Sequence, residues 1–199
     1  MRADVADAAD AIRRGEAAVY PTETVYGLGA DALSEPAVER VFELKDRPRE
    51  KPLSLAVPDV DAALDYTRPT DREERFMRAF LPGPVTVVVE RREAVPDALT
   101  AGRDRVGVRV PDHDLARSLL RAVEPTPITA TSANRSGSPS VVRASDLDER
   151  IREGAGAVVD GGETPGTEST VVDPGERVIH RRGSLADDIE AWLADDGGR

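Results

Sequence analysis

Ala17-Ala-Val-Tyr20-Pro-Thr-Glu-Thr-Val-Tyr-Gly-Leu-Gly29 is the stretch from which the architecture of this chain is read. Four apolar residues halt at Pro21, which has no N–H to give to a ladder, so Ala17–Tyr20 reads as a short buried strand. Upstream, Val5, Ala8, Ala9 and Ile12 recur at helical spacing and Gly15 follows, which predicts a helix over residues 3–14. Downstream come two hydroxyls, a carboxylate and two glycines. Helix, buried strand and polar turn in that order are the unit of an α/β fold, in which ligands bind where strands end. The turn itself has two readings. Gly27 and Gly29 would let backbone amides approach a ligand, because glycine tolerates φ > 0. Alternatively, it is a tight turn capped by its threonines. The spacing matches neither a dinucleotide fingerprint nor a Walker A loop.

The alternation continues to the end of the chain. Ser34 is placed to cap a helix through Lys45 that buries Val38, Val41, Phe42 and Leu44. Leu53–Val57 reads as a strand, and residues 59–66 and 70–80 as helices. Leu81-Pro-Gly-Pro84 then interrupts the chain before a strand at Val85–Glu90. Val106–Val110 alternates in the strand pattern with Arg109 on it, and 114–122 returns to helix. Ile128–Ala130 is a short strand entering a turn at Thr131-Ser-Ala-Asn134. A helix over 145–153 precedes strands at 157–160, 169–173 and 177–180. Ser184 opens a last helix ending near Trp192, and residues 195–199 read as a frayed tail. With no linker and no internal repeat, the expectation is one domain over residues 1–199.

The composition narrows the chemistry. The chain has 199 residues, 39% hydrophobic and 33% charged, with a formal net charge of −11. There is no cysteine, and so no disulfide, thiolate nucleophile or cysteine-based metal site. His113 and His180 lack metal-ligand spacing, so no transition metal is expected. Magnesium carried by a nucleotide stays compatible, since it needs a carboxylate or two plus phosphate oxygens. No apolar run approaches the ~20 residues of a membrane span. The acidic amphipathic N-terminus does not read as a signal peptide, and the expected compartment is the cytoplasm. Acidity with arginine in place of lysine fits a salt-rich interior, where a screening length of about 3 Å at ~1 M makes self-repulsion tolerable. So acidic a chain is also a poor non-specific binder of nucleic acid.

Only two lysines occur, Lys45 and Lys51, and the other 25 basic residues are arginine. Both lysines flank Lys45-Asp-Arg47-Pro-Arg49-Glu-Lys51, a cationic knot suited to polyphosphate; the plainer reading is a solvated basic turn after a helix. Thr131-Ser132-Ala-Asn134-Arg-Ser136-Gly137 offers donors in a concave bend, either an anion nest or a routine Asx/Ser turn. Gly166-Thr-Glu-Ser169-Thr170 brings hydroxyls into a strand. Arg181-Arg182-Gly183 follows the next one.

Taken together, these pieces resemble the YrdC-like family, the threonylcarbamoyl-AMP synthases, over nearly the whole chain. The matching elements are PTETVYGLGADA from Pro21, KDRPREKPL from Lys45, PGPVTVVV from Pro82, VRVPDH from Val108, SANRSG from Ser132 and ESTVVD from Glu168. The pairing of Lys45 and Arg47 with Ser132 and Asn134 is the most specific part. The resemblance implies a twisted mixed sheet flanked by helices, with a concave substrate cavity. It implies that L-threonine and bicarbonate form an N-carboxylate that attacks the α-phosphate of ATP, giving threonylcarbamoyl-adenylate and pyrophosphate. A downstream tRNA threonylcarbamoyltransferase complex would take the product. Thr24, Arg109 and Ser169 are then expected to hold threonine. Lys45, Arg47, Lys51 and Arg181 are expected on the nucleotide and its phosphates, with Ser132 and Asn134 beside them. Lys45, Arg47, Ser132 and Asn134 form the catalytic set. Mg2+ is expected with ATP, no tightly bound cofactor is expected, and Glu23 is read as a capping carboxylate in preference to a metal ligand.

The chain departs from the family pattern at three places. Ala56 stands where many relatives carry histidine, Arg105 where threonine is common, and Thr131 in place of a frequent proline. The long C-terminal extension of some relatives is not expected here. Two other readings use the same residues: a paralogue of unassigned activity, which would tend to depart from the Ser132/Asn134 element, and an RNA-binding module. Direct RNA binding is disfavoured by the net charge and by so few aromatics for stacking. The carbamoyl-transfer modules of hydrogenase maturation proteins sit beside cysteine-rich segments, which this chain lacks.

Overall fold

The computed structural model describes residues 4–194; the expected tail at 195–199 and the first residue of the expected opening helix lie outside the described residues. Asp4 and Asp7 accept from each other's main-chain amides in a capping box that starts α1 (Val5–Arg13), whose Ala8, Ala9, Ala11 and Ile12 are buried. Strand β1 (Ala18–Pro21) pairs antiparallel with β2 (Tyr26–Gly29). Residues 26–29 are therefore a strand and not part of a ligand-binding turn. The two glycines serve packing instead. A Cβ on Gly27 would sit 3.0 Å from the Tyr20 ring, and one on Gly29 would sit 2.7 Å from Ile128 Cδ1.

Helix α2 (Glu35–Lys45) follows the expected span and burial, although the Ser34 side chain makes no cap bond; Glu35 and Pro36 occupy the first turn. Next come β3 (Ser54–Ala56), α3 (Val60–Leu64, capped by Asp59) and α4 (Asp71–Phe80, with a Thr70/Glu73 capping box). Strand β4 (Val85–Glu90) has the span read from the sequence. The short α5 (Asp97–Thr100) was not anticipated, because four residues are too few to show a period. Then follow β5 (Arg105–Arg109), α6 (Asp114–Ala122) and β6 (Ile128–Ser132). Strand β6 runs two residues beyond the expected end, through Thr131 and Ser132, because they pair with Leu28 and Gly27 of β2. The helix expected over 145–153 is split into a 3-10 turn (Ala144–Asp146) and α7 (Glu149–Gly154). The chain closes through β7 (Ala157–Val158), β8 (Thr170–Asp173), β9 (Val178–Arg181) and α8 (Ala186–Ala194).

These strands form one mixed sheet in the order β7-β1-β2-β6-β3-β5-β4-β8-β9. The pairs β1–β7, β3–β5 and β4–β8 are parallel, and the others are antiparallel. Helices α2, α4, α7 and α8 cover one face, over Val19, Leu28, Leu55, Val87, Val108 and Val172. Helices α1 and α6 cover the other face only at the β1 end, over Ala18, Tyr20 and Ile128. The rest of that face forms the floor of a cavity. Period-two alternation explains why it is not greasy: Val85, Val87 and Val89 point into the core while Thr86 and Val88 face the cavity, and Val106 and Val108 are flanked by Arg105, Gly107 and Arg109. Among the described residues no helix is long and apolar enough to cross a membrane.

Candidate active site

The cavity encloses about 1240 Å³. Its floor is made of alternate residues from β3, β5, β4 and β8, and its sides come from the segments after β1 and α2, the segment before β8 and the end of β9. Thr24, Arg47, Lys51, Arg109, Ser132, Ser169 and Arg181, named above from sequence, all line it. Lys45 and Asn134 stand behind the wall.

Lys45 is the last residue of α2 and is 2% exposed. Its Nζ donates to the main-chain carbonyls of Ser132 and of Asn134, the latter at 2.6 Å. The Ser136 amide in turn donates to the Lys45 carbonyl at 2.8 Å. Burial, reinforced by the nearby Arg47 guanidinium, pushes the Lys45 ammonium down from 10.5 to about 7. The Asn134 amide nitrogen is spent on the carbonyls of Arg135 (2.9 Å) and Ser138 (2.7 Å), and its Oδ1 is buried without a partner. Lysine and asparagine thus fix the shape of the bend that presents Ser132.

Among the described residues five arginines line the cavity, Arg47, Arg103, Arg105, Arg109 and Arg181. Arg47 is held by the carbonyls of Lys51 (Nε, 3.0 Å) and Pro52 (Nη2, 2.9 Å), which closes the loop after α2. Burial and the neighbouring Arg181 lower its pKa. Arg181 returns across the β8–β9 pairing, where the register shifts at Val171/Val172, to donate to the Ser169 carbonyl at 3.0 Å and Oγ at 2.7 Å. Burial lowers its pKa too, with Glu168 raising it and Arg109 lowering it further. The glycine of the Arg181-Arg182-Gly183 motif has a steric reason: a Cβ there would fall 2.3 Å from the Glu168 carbonyl oxygen. Cations that depress one another in a partly desolvated hollow make a ready anion site.

Arg109 is ion-paired through Nη2 with Glu23 Oε1, and Thr24 Oγ1 lies 3.5 Å from the same nitrogen. Glu23 is thus the counter-ion of a strand arginine and not the capping carboxylate expected from sequence. Thr24 is buried with its hydroxyl 2.8 Å from that of Thr22. Ser169 Oγ lies 3.2 Å from Thr86 Oγ1.

Several wall residues escaped the sequence reading. Tyr20 is buried against Gly27 and Gly29 and lines the cavity; burial pushes its phenol up to about 12, Arg109 drawing it down and Glu23 up. Thr86 and Gly107 were legible in principle as small or polar residues alternating with core valines. Arg105 lies at the other end of β5, where its Nη2 meets Glu73 Oε1 (2.6 Å) and Asp173 Oδ1 (2.9 Å). Ala56 also lines the cavity.

The fold has counterparts among known proteins. The Sua5/YciO/YrdC family model, described as telomere recombination, matches residues 10–183. A protein named threonylcarbamoyl-AMP synthase from Pyrococcus abyssi is 43% identical over 182 residues, 89% of this chain and 53% of that protein. One of the same name from Bacillus subtilis is 40% identical over 97% of this chain and 53% of its own length. One from Escherichia coli O1:K1 is 38% identical over 81% of this chain and 85% of its own length. The crystal structure of P. abyssi Sua5 complexed with L-threonine matches with a TM-score of 0.87 at 40% identity, covering 96% of this chain and 57% of that one. E. coli YciO matches at 0.81 and 25% identity, over 91% and 90%. The chain spans about half the length of the P. abyssi and B. subtilis relatives.

Proposed function

The chain belongs to the Sua5/YciO/YrdC family, and from that premise we propose that it makes threonylcarbamoyl-AMP and pyrophosphate from L-threonine, bicarbonate and ATP. It is in this reading a nucleotidyltransferase, and its product feeds a downstream complex that places threonylcarbamoyl on a tRNA adenosine. The observation that carries the proposal is the convergence of Arg47, Arg109 and Arg181 on one cavity that also holds the hydroxyls of Thr24, Ser132 and Ser169. Adenylyl transfer needs little protein nucleophile; it needs substrates held in line and developing negative charge met by fixed cations.

In this scheme Arg109, with Thr24 and Ser169, takes threonine, the carboxylate on the guanidinium fork. Arg47, Arg181 and Lys51 take the triphosphate, and Ser132 faces the reacting phosphate. The amine becomes an N-carboxylate whose oxygen attacks the α-phosphorus as the bond to pyrophosphate breaks. Lys45 and Asn134 act from behind by fixing the bend. Magnesium enters with ATP as part of the substrate. The donor set suits that, since among the described residues no three His, Asp or Glu side chains gather to hold a resident ion. Exposed Glu168 lines the cavity and would be the protein ligand to a metal brought by the phosphates. The net charge of −11 fits a salt-rich cytoplasm as the place of work.

Pyrophosphate release measured with threonine and bicarbonate omitted in turn tests the proposal. Release that requires both is expected. Release indifferent to threonine would overturn it.

A further inference from the structure

Arg109 already has a carboxylate partner, and that carboxylate is only half used. Glu23 Oε1 pairs with Arg109 Nη2, the two side chains being 14% and 15% exposed. Glu23 Oε2 is buried with no hydrogen-bond partner. An acceptor withdrawn from water and left unpaired by protein is costly, so this oxygen favours any donor brought to it. The cavity is the side from which a donor could be brought. Thr22 and Thr24, on either side of Glu23 in sequence, both line the cavity, as do Tyr20 and Arg109, and Glu23 stands directly behind that wall. The Tyr20 phenol senses the charges of both Arg109 and Glu23, which puts it in the same cluster. Glu23 and Thr24 lie on one nitrogen of a five-donor guanidinium, which leaves the fork able to take a second carboxylate.

An anion site has no use for a free carboxylate oxygen. An ammonium does. We infer that Glu23 binds the amino group of the amino-acid substrate, so that Arg109 and Glu23 together recognise the zwitterion, carboxylate on guanidinium and ammonium on carboxylate. The inference rests on the reading of this cavity as a threonine site and adds a residue to it.

The pairing also gives the reaction a direction. When the threonine nitrogen forms its bond to the bicarbonate carbon and the C–OH bond breaks, water and one proton leave, and the positive ammonium becomes a negative N-carboxylate. Glu23 then repels the group it had held. Arg47 and Arg181 attract it, toward the side of the cavity assigned to the phosphates.

Calorimetric titration tests this without catalysis, using L-threonine and its 2-hydroxy analogue, 2,3-dihydroxybutanoate, in which a hydroxyl replaces the amine. The wild-type protein is expected to bind threonine about tenfold or more tighter than the analogue, the worth of one charge-assisted hydrogen bond. Glu23→Gln is expected to erase that preference by weakening threonine and sparing the analogue, and Glu23→Asp, which keeps the charge, to retain part of it. Equal wild-type affinity for the two ligands overturns the inference whatever the variants do. So does a Glu23→Gln protein that keeps the full preference. Wild-type protein that binds neither ligand overturns the threonine site itself, a distinct result that takes this inference with it.

Discussion

Lys45 Nζ is bonded to the main-chain carbonyls of Ser132 and Asn134, across 87 and 89 residues of sequence. The end of α2 and the bend after β6 are therefore one unit. A lysine that the sequence suggested for phosphate turns inward, and Arg47, two residues on, faces the cavity in its stead. Replacing Lys45 by Met strands two carbonyls, at about 1–3 kcal/mol each. Urea denaturation is expected to register that loss, and pyrophosphate release to fall with it because Ser132 is no longer held.

The same amine sets a pH dependence. Unfolded, Lys45 keeps its proton up to 10.5; folded, only up to about 7. Between those values the unfolded chain binds more protons, so this residue's contribution to stability grows as pH rises through the window and is lost as pH falls through the lower value. Wild type is thus expected to gain on Lys45→Met between about 7 and 10.5 in paired denaturation curves. A gap independent of pH would contradict the assignment.

Arg47 offers a fork to phosphate and is tied by its loop. Arg47→Lys keeps the charge but not the planar geometry, so the KM for ATP is expected to rise about tenfold while threonine affinity stays within about twofold. Steady-state titration of each substrate separates the two. An equal rise in both would argue for general collapse of the cavity.

Ser169 joins Arg181 to the floor of the sheet at 2.7 Å. Ser169→Ala is expected to raise the threonine requirement more than the ATP requirement, by several-fold, the worth of about one hydrogen bond. The ratio of the two KM changes is the readout.

Arg105 is 32% exposed, whereas its partners Glu73 and Asp173 are 2% exposed. Arg105→Met leaves both carboxylates buried and uncompensated. A cost of about 2–4 kcal/mol is expected in chemical denaturation, the lower range for breaking a buried pair because one partner touches water. Threonine binding measured by calorimetry should be spared, since Arg105, although it lines the same cavity, lies at the opposite end of β5 from Arg109 and is engaged by Glu73 and Asp173.

Gly29 is expected to refuse a methyl group. Its Cβ would press on Ile128 and Tyr20, so Gly29→Ala should cost about 1–3 kcal/mol through overpacking. Thermal denaturation of this variant beside Gly15→Ala, where nothing lies within 4 Å but φ is +79°, distinguishes crowding from backbone strain.

How much of this could be read without coordinates depended on whether the cause was local. Strand β4 and helix α6 were legible because their apolar residues keep a clean period of two or of about 3.6. Strand β2 was not, because Gly27 and Gly29 carry the signature of a turn while serving as space for Tyr20. Strand β6 reads short from sequence, since its last two residues are held by β2 and not by any propensity of their own. Glu23 looked like a cap because its partner lies 86 residues away.

The sequence alone determined the alternation of helices and strands, the absence of cysteine chemistry, and the set of cations and hydroxyls from which a site can be built, because periodicity, composition and residue type are properties of neighbours along the chain. The tertiary structure decided which of those side chains meet. Sheet order, the β8–β9 register and the packing of α2 against the bend after β6 sent Arg47, Arg109 and Arg181 into one cavity and Lys45 behind its wall. Those choices depend on contacts between residues distant in sequence, where burial, charge pairing and steric fit act through space.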